Sequence, residues 1–192
     1  DVDEAVKDVY WAKEQGLSGI LLPGVSPDTP WIDPLFSQIY DPFWAACEEM
    51  GVIVHFHSGP APHPEYFGAG FPVEDKRDVL PGAMGIYCSE VMWWLYRPLT
   101  FMIWGGVFER FPKLKTMIVE GGTMFMLPSW LRLMDFHYTE GQISAKLGNF
   151  RKHLSLKPSE YFQRNIGIGA SCVLRPDLEG RDDIGLEKIM WG

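Results

Sequence analysis

The 192 residues fit a single domain spanning residues 1–192, and a chain of this length can bury roughly 70% of the surface that its unfolded form exposes. Its composition, 46% hydrophobic and 22% charged, is that of a folded protein and excludes a wholly disordered chain. With 17 basic against 25 acidic residues the net charge is −8, so neither a nucleic acid nor an anionic membrane is expected as a partner.

The cysteines and the most apolar stretch bear on the compartment. Cys47, Cys88 and Cys172 are odd in number and widely spaced, a pattern typical of free thiols in a reducing environment. The apolar stretch over residues 92–107 is broken by Arg97, a proline and two glycines, so it falls short of the about 18 uninterrupted residues of a membrane span. The acidic start of the chain shows no signal-peptide features. We therefore expect a cytoplasmic protein without a membrane segment.

Hydrophobic periodicity divides the chain into alternating helices and strands. The predicted helices cover residues 3–15, 41–50, 83–111, 126–137 and 158–163. The predicted strands, which are short and almost wholly apolar, cover residues 19–22, 52–57, 114–119, 165–171 and 186–192. Gly51 is the expected C-terminal cap of the second helix. The stretch over 61–81, rich in proline and glycine, is predicted to be a long loop, and long ordered loops are often functional.

Apolar strands that alternate with helices indicate an α/β fold built from parallel βαβ units. The pattern fits either a (β/α)8 barrel or an open, doubly wound sheet. No Gly-x-Gly-x-x-Gly follows a strand, which leaves a dinucleotide-binding open sheet with little support. A complete barrel has eight units in about 250 residues, so five predicted strands indicate part of a barrel.

Polar residues at the carboxyl ends of the strands are the best candidates for chemistry, because ligands bind there in both folds. His55 and His57 alternate along the second strand and so share one face, with His57 at the strand end. Glu120 ends the third strand directly after Met-Ile-Val, where a carboxylate needs a metal, a cation or N–H donors. The structural alternatives are a hydrogen-bonded core histidine and a salt-bridged glutamate.

Two further residues lie on one predicted helix. Arg132 and Asp135 are three residues apart and can pair with each other, which is a sufficient structural explanation. Contact between Arg132 and a substrate is the alternative.

Four stretches together resemble the amidohydrolase-related family, the barrel enzymes that include aminocarboxymuconate-semialdehyde decarboxylase. They are residues 1–23 (Asp-x-Asp-x-Ala-Val, then Gly-x-x-Gly-Ile-Leu-Leu-Pro), 51–59 (a strand ending in His-Ser-Gly), 111–135 (Phe-Pro-x-Leu-Lys, Glu-Gly-Gly and Arg-Leu-x-Asp) and 188–192 (Lys-Ile-Met-Trp-Gly). Their order along nearly the whole chain makes the combination specific.

The resemblance implies that the strands are the fourth to eighth of a (β/α)8 TIM barrel and that His57 is the metal-binding histidine at the end of the fifth. The family also uses a His-x-His pair after the first strand and an aspartate just after the eighth, which we expect outside residues 1–192. The implied cofactor is a divalent metal ion, and we expect zinc. Glu120 stands where the family's decarboxylases carry a histidine.

The resemblance, with a glutamate at this point, predicts a metal-dependent hydrolase of an amide, ester or carbon–carbon bond, in which Glu120 shuttles a proton or adds a ligand. His55 and Arg132 are the predicted substrate-binding residues, and the aromatic content suggests a hydrophobic or aromatic carboxylate as substrate. The alternatives are a metal-dependent decarboxylase of an aromatic or unsaturated acid, a metal-free enzyme built on Glu120, and a non-catalytic binding module. The resemblance also implies a homo-oligomer that pairs through apolar helices.

Overall fold

The structure is a computed structural model that describes residues 1–23, 30–57, 61–67, 81–120, 126–140, 149, 151–171, 173 and 175–190. Some of the sequence features named above lie outside these residues. They are Cys172, the predicted strand end at 191–192, the Ser-Gly after His57, the Gly-Gly after Glu120 and most of the predicted loop.

Helices and strands alternate along the described residues. The helices are α1 (Val2–Glu14), α2 (Asp41–Met50), α3 (His63–Phe67), α4 (Pro81–Trp104), α5 (Val107–Arg110), α6 (Leu127–Glu140), α7 (Pro158–Asn165) and α8 (Arg175–Ile184). The strands are β1 (Gly19–Leu21), β2 (Ile53–Phe56), β3 (Thr116–Ile118), β4 (Ile166–Gly169) and β5 (Ile189–Met190). Short 3₁₀ turns at Gln38–Tyr40 and Leu186–Lys188 precede α2 and β5.

The five strands form one parallel sheet in the order β1-β2-β3-β4-β5. Each strand therefore pairs with its neighbour in sequence, as Val54 of β2 pairs with Thr116 of β3. A doubly wound sheet reverses its strand order at a switch point, and the described strands show no reversal. Sequential parallel strands separated by helices are the arrangement of the barrel, which decides between the two folds that the pattern left open.

The two faces of the sheet differ in what covers them. Val54, Ile118 and Ile168 share one face, are 0% exposed and pack with helical residues in the hydrophobic core. The register places Leu21 and Met190 on the opposite face, where they are 64% and 55% exposed. The core helices thus pack on one face, and the other face carries His55, which is in register with Leu21.

Helix α2 shows how the sequence sets an element in this fold. Pro42, in its first turn, has the fixed φ that suits a helix start. Gly51 ends the helix in a left-handed conformation with φ 61°, which glycine adopts without steric cost. Trp44 and Cys47 point into the core at 0% and 1% exposure. The predicted range 41–50 is confirmed.

Three predicted segments differ from the structure. The described part of the strand predicted over 186–192 begins as the 3₁₀ turn Leu186–Lys188, and only Ile189–Met190 form a strand there. The single helix predicted over 83–111 is interrupted, because α4 ends before Gly106, whose φ of 69° breaks the helical path, and α5 begins after it. The predicted loop over 61–81 contains the helix α3, whose Phe67 ring packs 5.6 Å from the Tyr87 ring of α4. Among the described helices, including the 24 residues of α4, none combines the length and apolar character needed to cross a membrane.

Candidate active site at the strand ends

The carboxyl ends of β2 and β3 bring an imidazole and a carboxylate together. The two strands are hydrogen-bonded neighbours with Phe56 in register with Ile118, so the residues that follow them emerge at the same edge of the sheet. His57 Nε2 lies 3.5 Å from Glu120 Oε2, and the two side chains are 47% and 44% exposed. Solvent and a small ligand can therefore reach both groups. The structure places these two predicted residues side by side, while their roles stay predictions.

The backbone of Glu120 is held in an unusual conformation. Its φ is 55°, and it is the one residue other than glycine with a positive φ in the described part of the chain. A left-handed backbone costs an ordinary L-residue about 1–2 kcal/mol. Residues held in such conformations cluster at functional sites, where the surrounding structure enforces them. The conformation therefore adds a structural reason to consider Glu120 functional.

His55 lies on the same face of β2, two residues before His57. Its imidazole covers Gly19 of the neighbouring strand, because a Cβ built on Gly19 would lie 2.3 Å from His55 Nε2. Burial lowers the pKa of the His55 imidazole below its ordinary value, which favours the neutral form. A neutral imidazole can donate one hydrogen bond and accept another. No sequence pattern pointed to this contact, since a glycine at a strand start is an ordinary boundary residue.

The side chains at the strand ends are of types that bind divalent cations, but they are too few to complete a metal site. An imidazole nitrogen and a carboxylate oxygen are both common ligands of zinc and related metals. Within the described ranges, no group of three His, Cys, Asp or Glu side chains is placed to hold a metal ion. His57 and Glu120 would thus supply at most two ligands, and a four-coordinate site needs further donors.

Arg132 makes the contacts of a surface residue on α6. Its Nη2 donates to Ser129 Oγ at 3.0 Å, and its Nη1 lies 3.8 Å from Asp183 Oδ2 of α8, with the side chain 66% exposed. Asp135 accepts hydrogen bonds from Ser159 N and Oγ at 2.9 and 2.6 Å. The predicted Arg132–Asp135 pair is therefore wrong, because Asp183 of α8 lies beside Arg132 and Ser159 of α7 donates to Asp135. The predicted contact between Arg132 and a substrate stays a prediction.

The comparisons with known proteins agree with the observed topology. A family model described as amidohydrolase matches residues 1–162. An amidohydrolase from Mycobacterium avium subsp. paratuberculosis is similar in structure with a TM-score of 0.62 and 25% identity, over 98% of this chain and 44% of its own. The 5-carboxyvanillate decarboxylase from Sphingomonas paucimobilis is similar with a TM-score of 0.68 and 24% identity, over 100% of this chain and 52% of its own.

A further similar structure contains a metal. It is the 5-carboxyvanillate decarboxylase from Novosphingobium aromaticivorans complexed with manganese and 4-hydroxy-3-methoxy-5-nitrobenzoic acid, with a TM-score of 0.70 and 19% identity, over 100% of this chain and 51% of its own. A search of the curated proteins found no match. The chain spans about half the length of the solved structures that it resembles.

Proposed function

Because this chain belongs to the amidohydrolase family, we propose that it forms part of a metal-dependent enzyme in which His57 binds a divalent cation and Glu120 transfers protons. The observation that carries the proposal is the 3.5 Å distance between His57 Nε2 and Glu120 Oε2 at the ends of neighbouring strands. Strand ends are where enzymes of this fold place their catalytic groups.

The metal is proposed to be zinc, held through His57 Nε2 together with donors beyond the described pair. When bound, a divalent cation polarises a substrate oxygen or lowers the pKa of a water molecule toward neutrality. Manganese in the Novosphingobium decarboxylase makes that ion the main competitor. Both ions accept imidazole and carboxylate ligands, so the residues at this site do not select one over the other.

Glu120 is proposed to act as the proton carrier of a hydrolytic reaction. Its carboxylate would accept a proton as a water molecule adds to the scissile bond and would return that proton to the leaving group. Proton and bond counts then balance, since water is divided between the two products. The open position of the side chain, 44% exposed, leaves room for a water molecule beside it.

Decarboxylation is the second candidate, favoured by the fold shared with two 5-carboxyvanillate decarboxylases. The substrate would lose its carboxylate as carbon dioxide, and the carbon left behind would take up one proton. The Glu120 carboxyl group would then have to be protonated before the reaction, so that it can donate this proton as an acid. A carboxyl group can serve either role, depending on its protonation state, so the reaction catalysed distinguishes the two candidates.

We propose a small aromatic or otherwise hydrophobic carboxylate as the substrate class, by analogy with the nitrobenzoic acid bound in the Novosphingobium complex. His55 is the better placed of the two proposed substrate-binding residues, because its imidazole shares a strand face with His57. A neutral His55 could donate a hydrogen bond to a substrate oxygen. Arg132 is the other proposed contact, although its described partners are on α6 and α8.

The metal proposal is tested by metal analysis of the full-length protein. We expect bound zinc or manganese in the wild type and at least a tenfold weaker affinity in the His57→Ala variant. His153→Ala, which removes an exposed histidine from a turn, is the matched control and should keep the metal. Wild-type protein that holds no metal, or activity that survives chelators, would favour the metal-free alternatives instead.

The reaction is tested by incubating the metal-loaded full-length protein with aromatic carboxylates and their amides or esters. Carbon dioxide release identifies decarboxylation, and release of an amine or alcohol identifies hydrolysis. Glu120→Gln should lower the rate of either reaction by about 10²–10⁴-fold while leaving the metal bound. Full activity in Glu120→Gln would exclude the proton-transfer role.

A further inference from the structure

Helix α4 presents two different faces. Leu95, Leu99, Met102 and Ile103 are at most 1% exposed and belong to the core. Trp93, Arg97, Phe101 and Trp104 follow one another at spacings of three and four residues, which places them together on another face of the helix. Trp93 is 38% exposed.

This second face lines a cavity of about 560 Å³. Walls from outside α4 are supplied by Phe36, which precedes α2, and by Trp130 of α6. The Phe36 and Phe101 rings lie 5.7 Å apart. Sites for small organic ligands usually measure about 300–1,000 Å³ and are lined mainly by apolar and aromatic side chains. In size and lining the cavity therefore matches a ligand site.

Arg97 is the charged residue among the side chains that line this cavity. Its Cζ lies 5.2 Å from the Trp93 ring, 5.2 Å from the Trp94 ring and 5.1 Å from the Phe101 ring. Its buried Nε has no hydrogen-bond partner among the described residues, although buried donors are nearly always paired. The rings hold the guanidinium in place without neutralising its charge.

The neighbouring polar groups of the wall are already engaged with each other. Trp130 Nε1 donates to Thr100 Oγ1 at 3.3 Å, and Thr100 Oγ1 in turn donates to the Tyr96 carbonyl at 3.2 Å. Their hydrogen bonds are thus made within the fold. Among the described residues that line the cavity, Arg97 is therefore the one whose guanidinium is charged and has a buried N–H without a hydrogen-bond partner. An anionic ligand would supply that partner.

We propose that this cavity is a second ligand site, separate from the strand ends, which binds a small organic anion with a flat apolar body. The anionic group pairs with the Arg97 guanidinium, whose planar donors match the two oxygens of a carboxylate. The flat body stacks against Trp93, Phe101 and Trp104. None of these residues takes part in the proposed chemistry of His57 and Glu120, so the second site does not depend on that proposal.

The test uses 2-naphthoate as the probe and 2-naphthalenemethanol as its uncharged counterpart, with binding measured by calorimetry on the full-length protein. The wild type should bind naphthoate at least tenfold more tightly than the alcohol. Arg97→Leu should weaken naphthoate binding at least tenfold and change binding of the alcohol less than threefold. The affinity of Arg97→Lys for naphthoate should lie between those of the wild type and Arg97→Leu, because lysine keeps the positive charge but lacks the planar guanidinium.

Three controls locate the probe and protect the test from misfolded variants. His57→Ala should change the affinity for naphthoate less than twofold relative to the wild type. If naphthoate instead bound at the strand ends, this variant would bind it more weakly. Arg175→Leu removes an exposed arginine from α8, which contributes no side chain to the cavity lining, and should leave binding unchanged. The comparison of the two probes on the wild type needs no variant, so a poorly folded Arg97→Leu protein leaves the main result standing.

Several results would overturn the proposal. They are equal affinity of the wild type for both probes, no naphthoate binding at millimolar concentration, or loss of binding in His57→Ala together with full binding in Arg97→Leu. A second copy of the chain could instead cover the cavity. Sedimentation would then show a wild-type dimer that dissociates in Arg97→Leu, and this outcome would also contradict a small-molecule site.

Discussion

His57 Nε2 and Glu120 Oε2 lie 3.5 Å apart, although the helices α3, α4 and α5 separate their strands in the sequence. Parallel pairing of β2 with β3 produces this proximity, because Phe56 and Ile118 are in register and both chains leave the sheet at the same edge. Both side chains are accessible, at 47% and 44% exposure. The fold thus brings an imidazole and a carboxylate to one accessible place, where they can act on the same molecule.

The left-handed backbone of Glu120 predicts a conflict between stability and function at this residue. Asparagine tolerates a positive φ better than glutamate does, so Glu120→Asn should be as stable as the wild type or more stable by up to about 1 kcal/mol. Its enzymatic activity should nevertheless fall sharply. Urea unfolding measures the stability, with Glu120→Gln as the control that keeps the unfavourable backbone. An asparagine variant less stable than the glutamine variant would contradict this explanation.

The contact between Gly19 and His55 predicts an energetic coupling between β1 and β2. A methyl group at residue 19 would lie 2.3 Å from His55 Nε2 and 2.9 Å from the Ile53 carbonyl oxygen, so Gly19→Ala must displace the imidazole. We expect a loss of about 1–3 kcal/mol in the free energy of unfolding, as for other overpacked sites. His55→Ala combined with Gly19→Ala should recover part of that loss. Strictly additive effects in this double-mutant cycle would show that the two residues do not interact.

The strand-end site was predictable because local and global signals agree there. The apolar run before His57 identifies a strand, and the glycine cap of α2 fixes where that strand can begin. Glu120 follows another apolar run, so both residues were placed at strand ends from the sequence alone. The family model that matches residues 1–162 confirms the resemblance on which the barrel was predicted.

Other features depend on tertiary contacts that leave no periodic signal. Helix α8 has a polar sequence with few apolar residues, so hydrophobic spacing did not indicate it. Arg132 was expected to pair within its own helix, but Asp183 of α8 lies beside it in the fold. The aromatic cavity around Arg97 also escaped prediction, because Phe36 and Trp130 reach it from distant parts of the chain.

The two described cysteines should differ strongly in reactivity. Burial raises the pKa of the Cys47 thiol to about 12, and the side chain is 1% exposed. At pH 8 the reactive thiolate of Cys47 is then roughly one part in ten thousand. Cys88 is exposed on α4. Iodoacetamide should modify Cys88 in the native protein and Cys47 only after unfolding, as measured by peptide mass spectrometry. Rapid native labelling of Cys47 would contradict the buried position.

Glu109 should make the stability of the protein depend on acid pH. Burial acts to raise the pKa of its carboxyl group, but hydrogen bonds from Tyr161 and Ser155, with Arg164 nearby, outweigh that effect and lower it below the ordinary value of 4.5. A folded-state pKa below the unfolded one means that the ionised form contributes stability. That contribution is complete above about pH 4.5 and is lost as the pH falls through the lower, folded-state pKa.

Glu109→Gln should therefore be less stable than the wild type by about 1–3 kcal/mol at pH 7, the usual effect of removing a hydrogen-bonded charged group. The difference should shrink as the pH is lowered below 4.5, because the wild-type carboxylate becomes protonated and loses its advantage. Urea unfolding of both proteins between pH 7 and pH 3 measures this difference in the free energy of unfolding. Glu49→Gln, which changes an exposed carboxylate of α2, is the matched control and should follow the wild type across the range. A Glu109→Gln protein whose deficit stays constant with pH would show that the hydrogen bonds to Glu109 contribute equally in both protonation states.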